Sequence, residues 1–372
     1  MKILFTCGGT AGHINPALGV AGRIKTLLPE SDILFVGAEG MMETQLVPRE
    51  GYPIKTIEIS NLSRSISLKG LKHNLHTAKT LVTGGRRAKA IVREFQPDIA
   101  IGTGGYVCYP VLRAAHALGI PTLVHESNAV PGLTTKLLAK QVDCVMLGFA
   151  DAAENYPKGT NTVFTGTPVR GGFVRHDKRE AKRALGLAED QPLLLSVWGS
   201  LGSDYMNAQM PEFMRLVCEK QDFVMIHSAG KRGYAKLSAA VVSTCGDAAG
   251  KGVFVEEYIH NMDAVMAAAD LVMCRSGAST LSELAALGKP AILIPSPNVT
   301  NNHQEKNARA LERVCAAKVL LEGGFTPESL YAEVAEMLRD TAAMDAMGSA
   351  MYATAVPDAT ERITELLLSF AK

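Results

Sequence analysis

Residues 98–128 read DIAIGTGGYVCYPVLRAAHALGIPTLVHESN, and residues 270–298 read DLVMCRSGASTLSELAALGKPAILIPSPN. Both run from a short apolar segment through a loop of small residues into a helical pattern. A G-x-P turn follows, then a second apolar segment and a polar loop. Short apolar runs joined by a helical crossover read as parallel βαβ units, since parallel neighbours cannot be joined by a tight turn. The same unit in each half of the chain predicts two domains of one type.

The alternation extends outward from both stretches. KILFTC, DILFVG and IKTIEI precede the first, and CVMLGF and TVFTG follow it. After residue 170 the pattern restarts with LLLSVW, FVMIHSAG and VFVEEY, and AILIPS and KVLL end it. ILFTCGGTAGHINPAL (3–18) is echoed by LLLSVWGSLGSDYMNA (193–208). Strands alternating with helices predict an α/β protein with parallel sheets covered on both faces. A chain of 372 residues also exceeds the usual size of one hydrophobic core. The expected domains are 1–165, completed by 348–372, and 166–347, joined near GTPVRGG (166–172). Asp358, with Glu361 three residues on, reads as the acidic start of a last helix. Open α/β sheets bind ligands at the carboxyl ends of their strands, so a cleft between two facing sheets is the expected site.

Composition narrows the function. Lys and Arg number 38 against 37 Asp and Glu, which argues against a nucleic-acid binder with a wholly basic surface. Cys7, Cys108, Cys144, Cys218, Cys245, Cys274 and Cys315 form no C-x-x-C pair and read as reduced thiols of a cytosolic protein. No apolar run approaches the roughly 18 residues of a spanning helix, so neither a cleaved signal nor a membrane anchor is expected. With no G-x-G-x-x-G, G-K-[ST], D-x-D or H-E-x-x-H motif, no cofactor and no metal are expected.

Five loops fall at predicted strand ends: GGTAGH (8–13), GTGGY (102–106), the stretch around Asn128, WGSLGS (198–203) and RSGASTLSE (275–283). A loop without side chains brings backbone N–H groups to a phosphate, and the helix that follows adds its positive end. Any one of them is also explained by a tight turn. Together they point to a ligand with more than one phosphate, or to two such ligands. Thr10 adds a hydroxyl donor, and His13 at a helix start is suited to taking a proton or orienting a hydroxyl. A helix beginning near Ser279 offers the N–H groups of Ala278, Ser279 and Thr280. Glu283, one turn in, reads either as a ribose ligand or as an acid favouring a helix N-terminus.

Between Glu58 and Glu94 no acidic residue occurs, while Arg64, Lys69, Lys72, Lys79, Arg86, Arg87, Lys89 and Arg93 are interleaved with Ile66, Leu68, Leu71, Leu75, Leu81 and Val82. Such a segment either lies on anionic lipid, each cation adding ~1 kcal/mol, or is a solvated basic helix packed by its leucines.

GGTAGHINPAL, GTGGYVCYP, HESNAVPGLTTKLLAK, TGTPVR, CRSGASTLSELAALGKPAILIP, NNHQEKNA and VPDATER, in that order, resemble glycosyltransferase family 28, in particular its UDP-N-acetylglucosamine transferases of peptidoglycan synthesis. The resemblance spans essentially the whole chain. It implies a GT-B fold of two Rossmann-like domains, acceptor bound by the first and donor mainly by the second, with the last helix returning to the first. It implies metal-independent, inverting transfer of N-acetylglucosamine to the muramyl 4-hydroxyl of lipid I, giving lipid II and UDP. The protein would then be peripheral on the cytoplasmic face of the membrane, touching anionic lipid and cell-wall synthesis proteins, and serving cell shape and division.

By motif, the resemblance makes Glu283 the ribose ligand. Ala278, Ser279, Thr280, Leu281 and Ser282 form the helix start that meets the diphosphate, and Ser200 binds phosphate. Ile259 reads uracil through its backbone, while Gln304 contacts the donor sugar and Arg170 the donor at the domain junction. Thr10, Ala11, Gly12 and Asn128 form the first-domain wall against the sugar. Gly104, Gly105 and Tyr106 meet the acceptor, and His13 and Glu126 are the catalytic candidates, the proton acceptor being left open. The chain also departs from the pattern. Ala11 replaces a glycine of GGTGGH, WGSLGS stands for GGSQGA with Trp198 and Leu201 where Gly and Gln are usual, and Ser127 turns HEQN into HESN. A UDP-N-acetylglucosamine 2-epimerase, or a degenerate UDP-sugar-binding scaffold, are the alternatives.

Overall fold

The computed structural model describes residues 1–59, 68–169, 173, 177–199 and 201–371, and for residues 68–79, 81, 82 and 300 the backbone alone. The chain divides into two compact units, Met1–Arg170 with Val356–Lys372, and Gly171–Ala355.

The first unit contains β1 (Lys2–Thr6), α1 (Ala11–Leu27), β2 (Asp32–Ala38), α2 (Glu43–Arg49), β3 (Ile54–Ile57), α3 (Leu68–Phe95), β4 (Ile99–Gly102) and α4 (Cys108–His116). After these come β5 (Thr122–Glu126), α5 (Leu133–Leu138), β6 (Cys144–Leu147) and β7 (Thr162–Phe164). Its strands lie in the order β3-β2-β1-β4-β5-β6-β7, every neighbouring pair parallel. Alternate residues of a strand face opposite sides of the sheet, and here both sides are covered. Ile3, Phe5, Phe35, Ile99 and Ile101 pack with Ile14, Val20 and Ile24 of α1, whereas Leu4, Leu34, Val36 and Ala100 pack with Ile91 and Val92 of α3 and Val111 of α4. Burial on both faces is why the strands read as unbroken apolar runs.

The second unit repeats the design with α6 (Lys178–Ala184), β8 (Leu193–Val197), α7 (Asp204–Lys220), β9 (Val224–Ser228), α8 (Gly230–Cys245), β10 (Val253–Glu256), α9 (Met262–Ala268), β11 (Leu271–Cys274), α10 (Ala278–Leu287) and β12 (Ala291–Leu293). It is completed by α11 (His303–Glu312), β13 (Lys318–Val319), α12 (Pro327–Arg339) and α13 (Thr341–Ala353). The parallel order is β10-β9-β8-β11-β12-β13. In both units the chain reverses direction across the sheet between its first strand and its fourth. The loops after β1 and β4, and after β8 and β11, therefore diverge from adjacent strand ends, the place where doubly wound sheets bind ligands. The two quoted stretches occupy equivalent places, as β4-α4-β5 and β11-α10-β12.

The last helix, α14 (Ala359–Phe370), belongs to the first unit and packs Ile363 and Leu367 against the α1 face of the sheet. The units meet in sequence at 170/171 and 355/356, not at 165/166 and 347/348. Helix α13 stays whole within the second unit because Gly348 sits against α10's end, where an added Cβ would lie 2.8 Å from the Gly288 carbonyl oxygen. Asp358 precedes α14 but makes no side-chain cap; its carboxylate instead accepts from Arg362 at 2.9 Å.

All seven cysteines are free thiols, and all but Cys315 are buried. Among the described residues no helix is long and apolar enough to cross a membrane. Of the basic segment, Arg86, Arg87 and Arg93 are exposed on α3 while Ala88, Ile91 and Val92 face the core. Arg64 and Ile66 lie outside the described residues, and Leu68, Lys69, Leu71, Lys72, Leu75, Lys79, Leu81 and Val82 are described by backbone alone.

One buried ion pair secures the second sheet. Asp270, just before β11, accepts from Leu193 N at 2.8 Å, from Lys182 at 2.7 Å and from Lys178 at 2.6 Å. Burial by itself would raise the Asp270 pKa; the two lysines and the Leu193 N–H outweigh it and hold the carboxyl below its ordinary 3.8. Its stabilisation is therefore complete above that value and is lost as the pH falls through the lower folded one. Asp270→Asn leaves Lys182, 2% exposed, without its counter-charge. A loss of about 3–5 kcal/mol at neutral pH is expected, read from the urea midpoint.

Candidate functional site

In the first unit the loop after β1 begins with buried Cys7, then Gly8, Gly9 and Thr10 before α1 starts at Ala11. Gly9 is left-handed (φ 86°). Its N–H donates to Glu43 Oε2 at 3.0 Å, and the Ala38 N–H donates to Glu43 Oε1 at 2.9 Å. Glu43 is fully buried, so a single carboxylate joins the end of β2 to the glycine loop. Nothing in EGMMETQ marks it beyond an acid near a helix start, and sequence reasoning missed it. Ala11, the departure from glycine, is the first helical residue and has no left-handed conformation to support, so its methyl group is tolerated there.

Loops after β1 and β4 touch backbone to backbone. Gly8 N donates to Gly104 O at 3.1 Å and Thr103 N to Thr6 O at 3.1 Å. Gly104 and Gly105 are left-handed (φ 125° and 95°). A Cβ on Gly105 would lie 2.5 Å from the Gly8 oxygen, and one on Gly104 would meet the His13 ring, 2.9 Å from Nε2. Only glycine fits either place. Tyr106, next along, is 41% exposed.

His13 is held from two sides. Its Nδ1 lies 2.9 Å from the Gly8 carbonyl, and its own carbonyl accepts from Thr103 Oγ1 at 2.6 Å. A carbonyl can only accept, so Nδ1 carries the proton and Nε2 of the neutral ring is the proton-accepting nitrogen. The Thr10 hydroxyl stands 3.4 Å from Nδ1. The ring is half-buried over Gly104, a placement suited to general-base work.

Glu126, at the end of β5, faces inward. Oε1 accepts from Asn128 N (3.1 Å) and Asn128 Nδ2 (2.9 Å), and Oε2 accepts from Gly132 N at 2.9 Å. Both oxygens thus serve to shape residues 126–132 and to orient Asn128. Ser127, the departure from HEQN, has a local partner as well. His125 donates from Nε2 to Gly166 O at 2.8 Å, which leaves Nδ1 to accept from the Ser127 hydroxyl at 3.2 Å. Burial lowers the His125 pKa and keeps the ring neutral.

In the second unit, α10 begins at Ala278 after Gly277, where an added Cβ would meet nothing within 4 Å. The helix ladder starts with Leu281 N to Gly277 O at 3.0 Å, so the N–H groups of Ala278, Ser279 and Thr280 form the helix's positive end. Ser282 turns back to Ala278 O (3.1 Å), and Leu281 buries its side chain at 3% exposure while its N–H is spent on Gly277 O. Glu283 is 8% exposed, one turn inside. Ile259, between β10 and α9, points inward between exposed Tyr258 and His260. Gln304 on α11 accepts from Ser296 N at 2.8 Å through Oε1, and its carbonyl accepts from Ser276 Oγ at 2.8 Å. This ties α11 to the β11 and β12 ends. Arg170 and Ser200 lie outside the described residues.

Arg275 also escaped sequence reasoning. It donates to Ile294 O (2.8 Å) and Ser203 Oγ (2.7 Å) and pairs with Glu322, so the loops after β8 and β11 share one guanidinium. Among the described residues no group of three or more His, Cys, Asp or Glu is placed to hold a metal ion.

Residues 3–147 match the model of the glycosyltransferase family 28 N-terminal domain, and residues 194–363 that of the family's C-terminal domain. A protein of Acetivibrio thermocellus named UDP-N-acetylglucosamine–N-acetylmuramyl-(pentapeptide) pyrophosphoryl-undecaprenol N-acetylglucosamine transferase is 41% identical over 100% of this chain and 99% of its own. A Bacillus cereus protein of the same name, numbered 1, is 41% identical over the whole of both. Among solved structures, Acinetobacter baumannii MurG superposes with a TM-score of 0.78 at 24% identity over 99% of each chain. The UDP-GlcNAc 2-epimerase of Neisseria meningitidis gives 0.66 at 13% identity over 99% of this chain and 100% of its own. At those identities the structures speak for the fold alone. The family models and the full-length relatives say more: this chain belongs to glycosyltransferase family 28.

Proposed function

We propose that the chain transfers N-acetylglucosamine from UDP-N-acetylglucosamine to the 4-hydroxyl of the muramyl residue of lipid I, with inversion at the anomeric carbon, giving lipid II and UDP for peptidoglycan synthesis. The observation that carries this reading is the 41% identity that runs the whole length of transferases so named. A 2-epimerase is not favoured, because its likeness to this chain is one of fold at 13% identity.

The geometry supports a division of labour. His13 Nε2 takes the proton of the acceptor hydroxyl as its oxygen attacks the anomeric carbon, and the bond from that carbon to the β-phosphate oxygen breaks. Charge developing on the departing diphosphate is met by the N–H groups at 278–280 and the dipole of α10, with no metal required. In this reading Glu283 accepts the ribose hydroxyls, Ile259 reads the uracil through its backbone, and Ser200, Leu281 and Ser282 line the phosphates. Gln304, Arg170, Thr10, Ala11, Gly12 and Asn128 surround the donor sugar. Gly104, Gly105 and Tyr106 meet the acceptor pyrophosphate and sugar. Glu126 acts by setting Asn128, since its oxygens are already engaged. The exposed arginines of α3 rest on anionic lipid at the cytoplasmic face, where the acceptor resides.

Incubation with labelled UDP-N-acetylglucosamine and a short-chain lipid I analogue tests the reaction: disaccharide and UDP are expected, and N-acetylmannosamine or no product would refute it. His13→Ala should lower kcat by ~10²-fold or more while UDP affinity holds. Unchanged turnover in a folded variant would exclude His13 as the base. Glu283→Ala should weaken UDP by about tenfold or more by calorimetry, the loss of hydrogen bonds to a charged group. Pelleting with vesicles should require anionic lipid and fade with Arg86→Glu and Arg87→Glu together, each reversal removing ~1 kcal/mol or more of attraction; binding indifferent to lipid charge would speak against the membrane contact.

A further inference from the structure

Trp198 is the single tryptophan of the chain and stands where the family pattern has glycine. It is 3% exposed, and its indole N–H donates to Ser196 Oγ at 3.0 Å. An indole can only donate, so Ser196 must pass its own proton onward, to His227 Nδ1 at 2.9 Å. Burial lowers the His227 pKa to about 3. The ring is thus neutral and carries its proton on Nε2, which donates to Asn207 Oδ1 at 3.1 Å. Asn207 Nδ2 in turn donates to Ala229 O at 2.8 Å. Each link has one permitted direction, and the relay joins the ends of β8 and β9 to the first turn of α7. Above it the loops press together, for a Cβ on Gly230 would lie 2.5 Å from the Gly202 Cα.

The indole face has a second partner. The Arg275 guanidinium carbon stands 5.5 Å from the ring centroid, within the range of cation–π attraction. From that seat Arg275 reaches Ser203 Oγ, the cap of α7, at 2.7 Å, and Ile294 O at 2.8 Å. Arg275 also opens the loop that ends in the start of α10. A buried indole N–H needs a partner whatever the ring's role, but packing alone does not call for a guanidinium over its face.

We propose that Trp198 is a positioning residue for the donor diphosphate: it seats Arg275, and through it the loops after β8 and β11, in the arrangement that receives the phosphates. The inference rests on reading the second unit as the UDP-sugar site. It places the effect on donor affinity and not on turnover. A glycine offers neither the face nor the N–H, so this chain braces its phosphate loops by a means the family pattern lacks.

UDP is titrated into the full chain by calorimetry and by tryptophan emission, which reports Trp198 alone. The natural protein should give one midpoint by both. Trp198→Leu should weaken UDP about tenfold and raise KM for UDP-N-acetylglucosamine in proportion, with kcat and the acceptor KM held within about twofold. Trp198→Phe, which restores the face, should recover most of the loss. Natural affinity in Trp198→Leu overturns the proposal. So does an equal change in kcat and both KM values that Phe does not rescue. If the leucine variant does not fold, Ser196→Ala, which cuts the relay beneath an intact indole, should weaken UDP about threefold, and unchanged affinity there overturns it too. Absence of UDP uptake by the natural protein would instead strike the transferase reading itself.

Discussion

Backbone against backbone at a strand end is the contact on which the first unit's site depends. Gly8 and Gly104–Gly105 approach so closely that a side chain at 105 would meet a carbonyl oxygen at 2.5 Å. That approach sets the Gly8 carbonyl where it accepts from His13 Nδ1, which in turn decides which imidazole nitrogen is basic. The sheet order makes the contact necessary: β1 and β4 are neighbours, and their loops leave in opposite directions from adjacent ends. The tautomer of His13 is therefore downstream of topology, with left-handed glycines as the intermediate link.

The two units solve the same problem of holding polar loops with different electrostatics. The first uses buried carboxylates, Glu43 on Gly9 N and Glu126 on Asn128 and Gly132, as acceptors for loop N–H groups. The second uses a neutral relay through Ser196, His227 and Asn207, and one guanidinium between two loops.

Much of the fold was legible because parallel strands buried on both faces leave unbroken apolar runs that composition alone reveals. The paired stretches at 98 and 270 became equivalent βαβ units, and the helix start read near Ser279 begins at Ala278. Boundaries were less legible. Asp358 reads as a cap yet pairs with Arg362, since a cap depends on local backbone angles that residue type does not determine. Helix α13 stayed with the second unit through Gly348, whose close contact with Gly288 joins residues distant in sequence. At the site, glycine loops and His13 were visible as motifs, but Glu43 and Arg275 were not. Their importance lies in partners that only tertiary structure brings together, Gly9 for Glu43 and Ser203 and Ile294 for Arg275.

Helix α14 covers α1 in a unit whose other elements all precede residue 171. During synthesis on the ribosome, the early sheet must wait for the entire intervening unit to emerge before Ile363 and Leu367 can shield Ile3 and Phe5. The later-made unit, uninterrupted from 171 to 355, has its whole core in hand first. Order of birth and order of completion are thereby reversed: the first unit, begun first, is the last to close the α1 side of its core.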